Sequence, residues 1–184
     1  VAADVSDHHR VLSQTLDETI DRRVFSLTHY QSSSYAKKYK KVIDTVRVLD
    51  EKVNGKPGAL TEAAAKYYYK LLAYKDEYEV ARLYTDGAFA KQVKAAFDGD
   101  LRFEFHLAPP LLARRDPDTG LPRKMTFGPW MMSAFKWLAR FKSLRGTALD
   151  PFGYSVERKT ERKLIADYEA LLAEVLERLN SENH

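Results

Sequence analysis

The sequence predicts a mainly α fold, a multi-helix domain with a small antiparallel β-hairpin or sheet around residues 101–127. Three observations carry this. Apolar residues recur every three or four positions through most of the 184 residues, as the buried stripe of a helix does. Between Leu101 and Leu107 the period drops to two, that of a half-buried strand. With 45% hydrophobic and 30% charged residues, the chain has the composition of a packed domain, not of a disordered one.

The elements follow in order. Leu12, Leu16, Ile20, Val24 and Leu27 make the stripe of a first helix. Ser32–Ser34 offer a capping hydroxyl for a second, whose stripe is Tyr35, Tyr39, Val42, Ile43, Val46, Leu49 and Val53. "NGKPG", Asn54 to Gly58, ends it, because glycine accepts positive φ and proline cannot continue the hydrogen-bond ladder. Thr61 is the expected cap of a third helix, with Tyr67, Leu71, Tyr74, Tyr78 and Ala81 along one face. After "TDGAF" a short helix is expected to turn Phe89, Val93 and Phe97 inward.

In "LRFEFHL" the apolar residues alternate with Arg102, Glu104 and His106, and "KMTF", Lys124 to Phe127, supplies a partner strand. "DPDTG", Asp116 to Gly120, is turn chemistry between them. Pro129 suits a first helical turn, and a helix should run from there to about Arg145, stopped by Gly146. Met131, Ala134, Phe135, Leu138 and Phe141 line it, and Trp130 and Trp137 broaden the stripe. In the last helix Leu164, Ile165, Tyr168, Leu171, Leu172, Val175, Leu176 and Leu179 keep the period. Burying all eight would contribute roughly 12–24 kcal/mol before entropy costs. The chain reads as a single helical domain, residues 1–184, with an N-terminal helical pair over 1–58 and a main body over 59–184. It begins with valine and is expected to be a piece of a larger multidomain enzyme.

The totals exclude several kinds of chemistry. With no cysteine, the chain has no disulfide, no zinc–thiolate site and no cysteine-ligated iron–sulfur cluster. That suits a cytoplasmic location. No apolar run approaches a membrane span, and "VAADVSDHHR" lacks the apolar core of a signal peptide. Neither GxxxxGK[ST] nor GxGxxG cradles a phosphate, and GxSxG and HExxH are also absent. His8 and His9 are adjacent and so point apart on a helix, and no metal site is expected. His106 reads as a residue on the surface of the sheet. Asp76, Glu77 and Glu79 read as solvated ion pairs with Lys75 and Arg82 nearby. No residue is assigned a catalytic role.

The net charge of +4 is uneven. Residues 114–163 hold twelve Lys/Arg against five Asp/Glu, or +7, which leaves −3 on the remainder. Arg114, Arg115, Arg123, Lys124, Arg140 and Arg145 are the candidate contacts for an anion or a partner, since guanidinium forks grip phosphates and carboxylates. No nucleic-acid motif accompanies them, so nucleic acid is not an expected partner. Pro109, Pro110 and Trp130 are candidate docking residues in a stretch, His106 to Met131, that reads as a bracing element and not an active site.

"KLLAYKDEYEVARLYTDGAF", "FHLAPPLLARRDPDTG", "FGPWM", "LRGTALDPFGY" and "ERKLIADYEALLAEVL" together resemble the C-terminal region of the fused bacterial indolepyruvate ferredoxin oxidoreductases, among the 2-oxoacid:ferredoxin oxidoreductases. The likeness runs from about Leu60 to the end, with a weaker one in "DRRVFSLTHYQSSSYAKKY". It implies a parent enzyme that oxidatively decarboxylates aryl 2-oxoacids to acyl-CoA. That enzyme would use thiamine diphosphate, Mg, iron–sulfur clusters and coenzyme A, and pass electrons to ferredoxin. The resemblance puts this machinery upstream and implies that the fragment alone is inactive. The domain is then expected to pack against catalytic domains of the same polypeptide, or a second subunit, as a structural part. The alternative is an anion-binding module whose basic segment contacts coenzyme A or acidic ferredoxin.

Overall fold

A computed structural model describes residues 13–109 and 116–183. Its first core is built by α1 (Leu16–Tyr30), α2 (Ser33–Asn54), α3 (Ala59–Leu72) and α7 (Val156–Arg178). Its second is built by α4 (Glu77–Thr85), β1 (Phe105–Leu107), β2 (Met125–Phe127) and α6 (Met131–Arg140), with Phe89 of α5 (Ala88–Ala96) packed against Tyr84 beside it. The fold is therefore mainly α with one small antiparallel sheet. α7 returns to pack on α3, and its Ile165 and Leu172 join the first core. No described helix is long and apolar enough to cross a membrane.

Local sequence explains most boundaries. Thr15 caps α1 by accepting from the Glu18 amide at 3.1 Å, and Ser32 caps α2 by accepting from Tyr35 at 3.2 Å. Gly55, at φ +73°, ends α2. In α1 Ile20, Leu27 and Tyr30 are buried, and in α2 Tyr39, Ile43 and Val46. Leu12, at the head of the first stripe, lies outside the described residues.

The start of α3 differs from expectation. Thr61 does not cap it. Asp50, fully buried on α2, accepts from the Gly58 amide (2.8 Å), the Thr61 amide (3.0 Å) and the Thr61 hydroxyl (2.5 Å). One carboxylate from a neighbouring helix thus serves the unpaired N–H groups that a helix start leaves. Burial alone would raise the Asp50 pKa, but these bonds and one from Asn54 outweigh it and hold the carboxyl below 3.8.

A single long tyrosine-faced helix does not form either. The chain breaks at residues 73–76, and the buried tyrosine of α3 is Tyr68, while Tyr67 is 48% exposed. Asp76 causes the break by capping α4, accepting from the Glu79 amide at 2.8 Å. The carbonyls left at the end of α3 are met by tyrosines of the first two helices. Tyr35 donates to Leu72 O (3.0 Å) and Tyr30 to Tyr74 O (2.8 Å). Three tyrosines then stack in series, Tyr39 on Tyr68 and Tyr68 on Tyr168 of α7.

The β element is shorter than the alternation suggested. Only three residues on each side pair, in the register Phe105–Phe127, His106–Thr126 and Leu107–Met125. Asp116–Gly120 does form a turn, its Oδ1 accepting from the amides of Asp118 and Thr119. Phe97 is 63% exposed and points away from the core, whereas Phe89 packs edge-on against Tyr84.

On α7 only Ile165 and Leu172 are buried, and Leu164, Leu171 and Val175 remain exposed. The helix has neighbours on one side only, so the burial of eight side chains is not realised and the stabilisation falls well short of the full sum.

α6 also ends early, at Arg140, and a 3-10 turn over Lys142–Leu144 follows. The reason is Arg145, whose side chain turns inward and is 3% exposed. It pairs with Asp76 through Nε and, at 2.8 Å, through Nη2, while Nη1 donates to Tyr30 O at 2.6 Å. Its guanidinium carbon lies 3.6 Å from the centroid of the Tyr30 ring. Alongside, Asp150 accepts from the Gly146 amide (2.8 Å), the Phe152 amide (3.1 Å) and the Tyr78 hydroxyl (3.2 Å). A Cβ on Gly153 would lie 2.9 Å from the Asp150 carboxylate, so glycine is required there.

Breaking a buried ion pair on one side leaves an uncompensated charge. Asp76→Asn retains a capping oxygen but removes the charge, and Arg145→Met removes the other half. Each single variant is expected to lose about 3–5 kcal/mol in urea unfolding. The combined Arg145→Met/Asp76→Asn protein should lose less than the two singles added together. Singles within 1 kcal/mol of wild type would show that the pair does not hold the two cores together.

Candidate functional site

The first core is closed by helices on several sides; the second is not. Between the start of α4 and α6 lies a groove of about 420 Å³, walled by Leu107, Pro109, Phe127, Trp130, Leu138 and Phe152. The sequence builds it simply. Gly128 and Pro129 turn the chain from β2 into α6, and the α6 periodicity sends Met131 and Phe135 into the core. Trp130, one position before the helix, is left 61% exposed, its ring edge-on to Phe127. Trp137 and Phe141 follow at helical spacing on the open side of α6, and both are exposed. Arg140 lies over the Trp137 ring, 5.2 Å from its centroid.

The inner end of the groove is polar. Lys75, Asp76 and Glu77 line it, and Asp76 is already committed to Arg145. Glu77 is different. Its Oε2 is shielded from solvent and has no hydrogen-bond partner. Burial pushes its pKa above 4.5; its own backbone amide and Arg158 oppose the shift, while Asp76 and Asp150 add to it. The groove therefore ends in a carboxyl held toward its neutral form, which can donate or accept a hydrogen bond. Among the described residues its lining contains no serine, threonine, cysteine or histidine. Among the described residues no group of three or more His, Asp or Glu is placed to hold a metal ion.

The residues singled out from the sequence separate into groups. Pro109 and Trp130 meet in the groove wall. Arg123, Lys124 and Arg140 are exposed, and Arg123 is tied to its own turn through Asp116 at 3.0 Å. That bond, with the Thr119 and Asp118 amides, holds the Asp116 carboxyl below 3.8. Arg145 does not join them: it is buried and its guanidinium is fully engaged, so it is not a surface contact. Pro110, Arg114, Arg115, His8, His9 and His184 lie outside the described residues. His106 is exposed on the sheet, with Nδ1 3.1 Å from the Thr126 hydroxyl.

The three neighbouring acids share no single fate. Glu79 pairs with Arg82 at 2.8 Å, as helix spacing suggests. Asp76 and Glu77 are drawn into the seam, and only the tertiary position of Arg145 distinguishes them. Phe152 and Asp150 carried no sequence signal beyond the turn-like "DPFGY".

These features define a mainly α domain with a closed helical half and an open aromatic groove. The chain belongs to DUF6537, a family of unknown function, whose family model matches residues 16–184. No curated protein and no solved structure matches it.

An acid whose pKa is raised by folding favours the protonated form. Its contribution to stability is present below the unfolded value and is lost as pH rises through the folded one. Glu77→Gln removes that loss. The variant should melt above wild type near neutral pH, with the gap closing on acidification to about pH 4. A gap that is absent at neutral pH, or that widens in acid, would contradict the burial of this carboxyl.

Proposed function

We propose that this chain is a non-catalytic assembly domain of a 2-oxoacid:ferredoxin oxidoreductase of the indolepyruvate type. Its aromatic groove seats an apolar segment of the catalytic part of the same polypeptide. The observation that carries this is Trp130, exposed beside an open apolar groove. Tryptophan at the centre of a patch is a frequent anchor, because it removes a large area from water with little side-chain entropy lost. The exposed apolar side chains of α7, Leu164, Leu171 and Val175, offer a further face to a neighbouring part. The sequence segments that resemble the C-terminal region of those enzymes supply the identity of the occupant.

The parent reaction rests on thiamine diphosphate, Mg, coenzyme A and iron–sulfur clusters, with ferredoxin accepting electrons. This chain does not fit the clusters, since it has no cysteine to ligate them. In this reading the cofactors belong to the catalytic part, and no step of the reaction runs through the residues described above. A cytoplasmic setting belongs to the same reading.

In the intact enzyme, Trp130→Glu puts a charge into the docking groove and should weaken the hold on the catalytic part. Truncating a hot-spot residue typically costs 2 kcal/mol or more, about 30-fold in affinity. Sedimentation should therefore show a dispersed oligomer, or limited proteolysis a faster release of this domain. Unchanged assembly and activity would count against the assembly role.

A second reading has one observation in its favour. Lys124, Lys136 and Arg140 are exposed and have no carboxylate within 4 Å among the described residues. A surface that contacts coenzyme A or acidic ferredoxin would use them. In that case Lys124→Ala with Arg140→Ala raises the apparent KM for one of the two in a salt-sensitive way, and assembly is untouched. Equal KM values at low salt would remove this alternative.

A further inference from the structure

The open side of α6 carries charge that its surroundings do not balance. From Leu121 to Leu149 the sequence holds six Lys/Arg and no Asp or Glu. Three of the six are engaged: Arg145 with Asp76, Arg123 with Asp116, and Lys142 with His29 O at 2.5 Å. Lys124, Lys136 and Arg140 are exposed, and among the described residues no carboxylate lies within 4 Å of them. Helical geometry sets two of these beside the aromatic groove. At about 100° per residue, the groove residues Ala134 and Leu138 are followed around α6 by Phe141, Trp130 and Trp137. Arg140 and Lys136 come next, one turn apart. The Arg140 guanidinium lies over the Trp137 ring, a position that leaves its in-plane N–H donors free for a carboxylate.

The inner end of the groove differs. There Asp76 is matched by Arg145, and Arg158 by Glu161 at 2.8 Å. Burial holds the Glu77 carboxyl toward its neutral form. The unmatched charge beside the aromatic row is therefore the positive charge of α6. A helix can present a row of apolar side chains next to a row of carboxylates, the complement of what α6 presents. We infer that the segment docking in the groove is an acidic amphipathic helix, its apolar side chains on Trp130, Trp137 and Leu138 and its carboxylates on Arg140 and Lys136. This rests on the docking role proposed above and adds the chemistry of the occupant. An anionic bilayer would attract the same cations and tryptophans, but a flat surface leaves a concave groove of about 420 Å³ unfilled.

Trp130 and Trp137 are the two tryptophans of the chain, so its tryptophan emission reports on this surface. The probes for the full chain are two designed, tryptophan-free helices and vesicles containing phosphatidylglycerol. The helices share a leucine face and differ only in carrying glutamate or lysine along one flank of it. The glutamate helix should bind saturably and shift the emission to the blue. At low salt the lysine helix should bind about 10-fold more weakly, and the gap should narrow as salt rises. Lys136→Glu with Arg140→Glu, both at exposed positions, should reverse the preference while the melting temperature is kept. Equal affinity for the two helices, no saturable binding of the glutamate helix, or tighter binding to the vesicles would each overturn the inference. In the intact enzyme the same double variant should release the domain as Trp130→Glu does. Release by Trp130→Glu but not by the charge reversal overturns the acidic occupant and leaves the docking role standing; release by neither removes both.

Discussion

The ion pair of Arg145 with Asp76 is the constraint on which the two halves of this molecule depend. Asp76 starts α4, Tyr30 ends α1, and Arg145 sits in the segment that leads from α6 back toward α7. One guanidinium therefore joins three chain segments that are distant in sequence. The pair is dry, so its net contribution to stability need not be large, because desolvation offsets much of the attraction. What it supplies is geometry. A fork of fixed shape that must meet a carboxylate and a carbonyl together admits few arrangements of the helices that carry them. Burial alone would lower the arginine pKa, but Asp76 outweighs it and keeps the guanidinium charged.

That seam separates two kinds of packing. On one side helices bury their stripes against each other, and tyrosine hydroxyls satisfy carbonyls that would otherwise be stranded. On the other, a three-residue sheet and two short helices enclose a small aromatic core that has one side missing. The groove exists because α6 carries more apolar surface than the hairpin can cover. Trp130 is the excess at the groove, and Trp137 and Phe141 are exposed beyond it. A surface of this kind is unfavourable for an isolated domain and suits one that sits against another body. The proposed assembly role draws on the same feature as the exposed face of α7, apolar side chains left for a neighbour to cover.

Buried Asp50 and half-buried Glu77 show how similar residues reach different ends. Asp50 is surrounded by donors on α3 and ionises more readily than in water; Glu77 lacks donors and ionises less readily. Neither outcome follows from helix spacing. Asp50 looks like any solvent-facing residue near a helix end, and Glu77 like any first-turn acid. Arg145 is the same case among cations. In the sequence it resembles Arg140, five residues earlier, yet one is exposed and the other is at the centre of the fold.

The sequence by itself determined the local structure: the helical periodicity, the cap at Ser32, the stop at Gly55, and the turn at Asp116–Gly120. It also determined the mainly α class with its small sheet. These depend on residues a few positions apart, so backbone geometry and side-chain spacing suffice. Only the tertiary structure decided the early end of α6, the half-covered state of α7 and the opening of the groove. Each depends on which distant groups come within hydrogen-bonding or packing distance. Desolvation then decides whether a charged side chain stays in water or finds a partner inside.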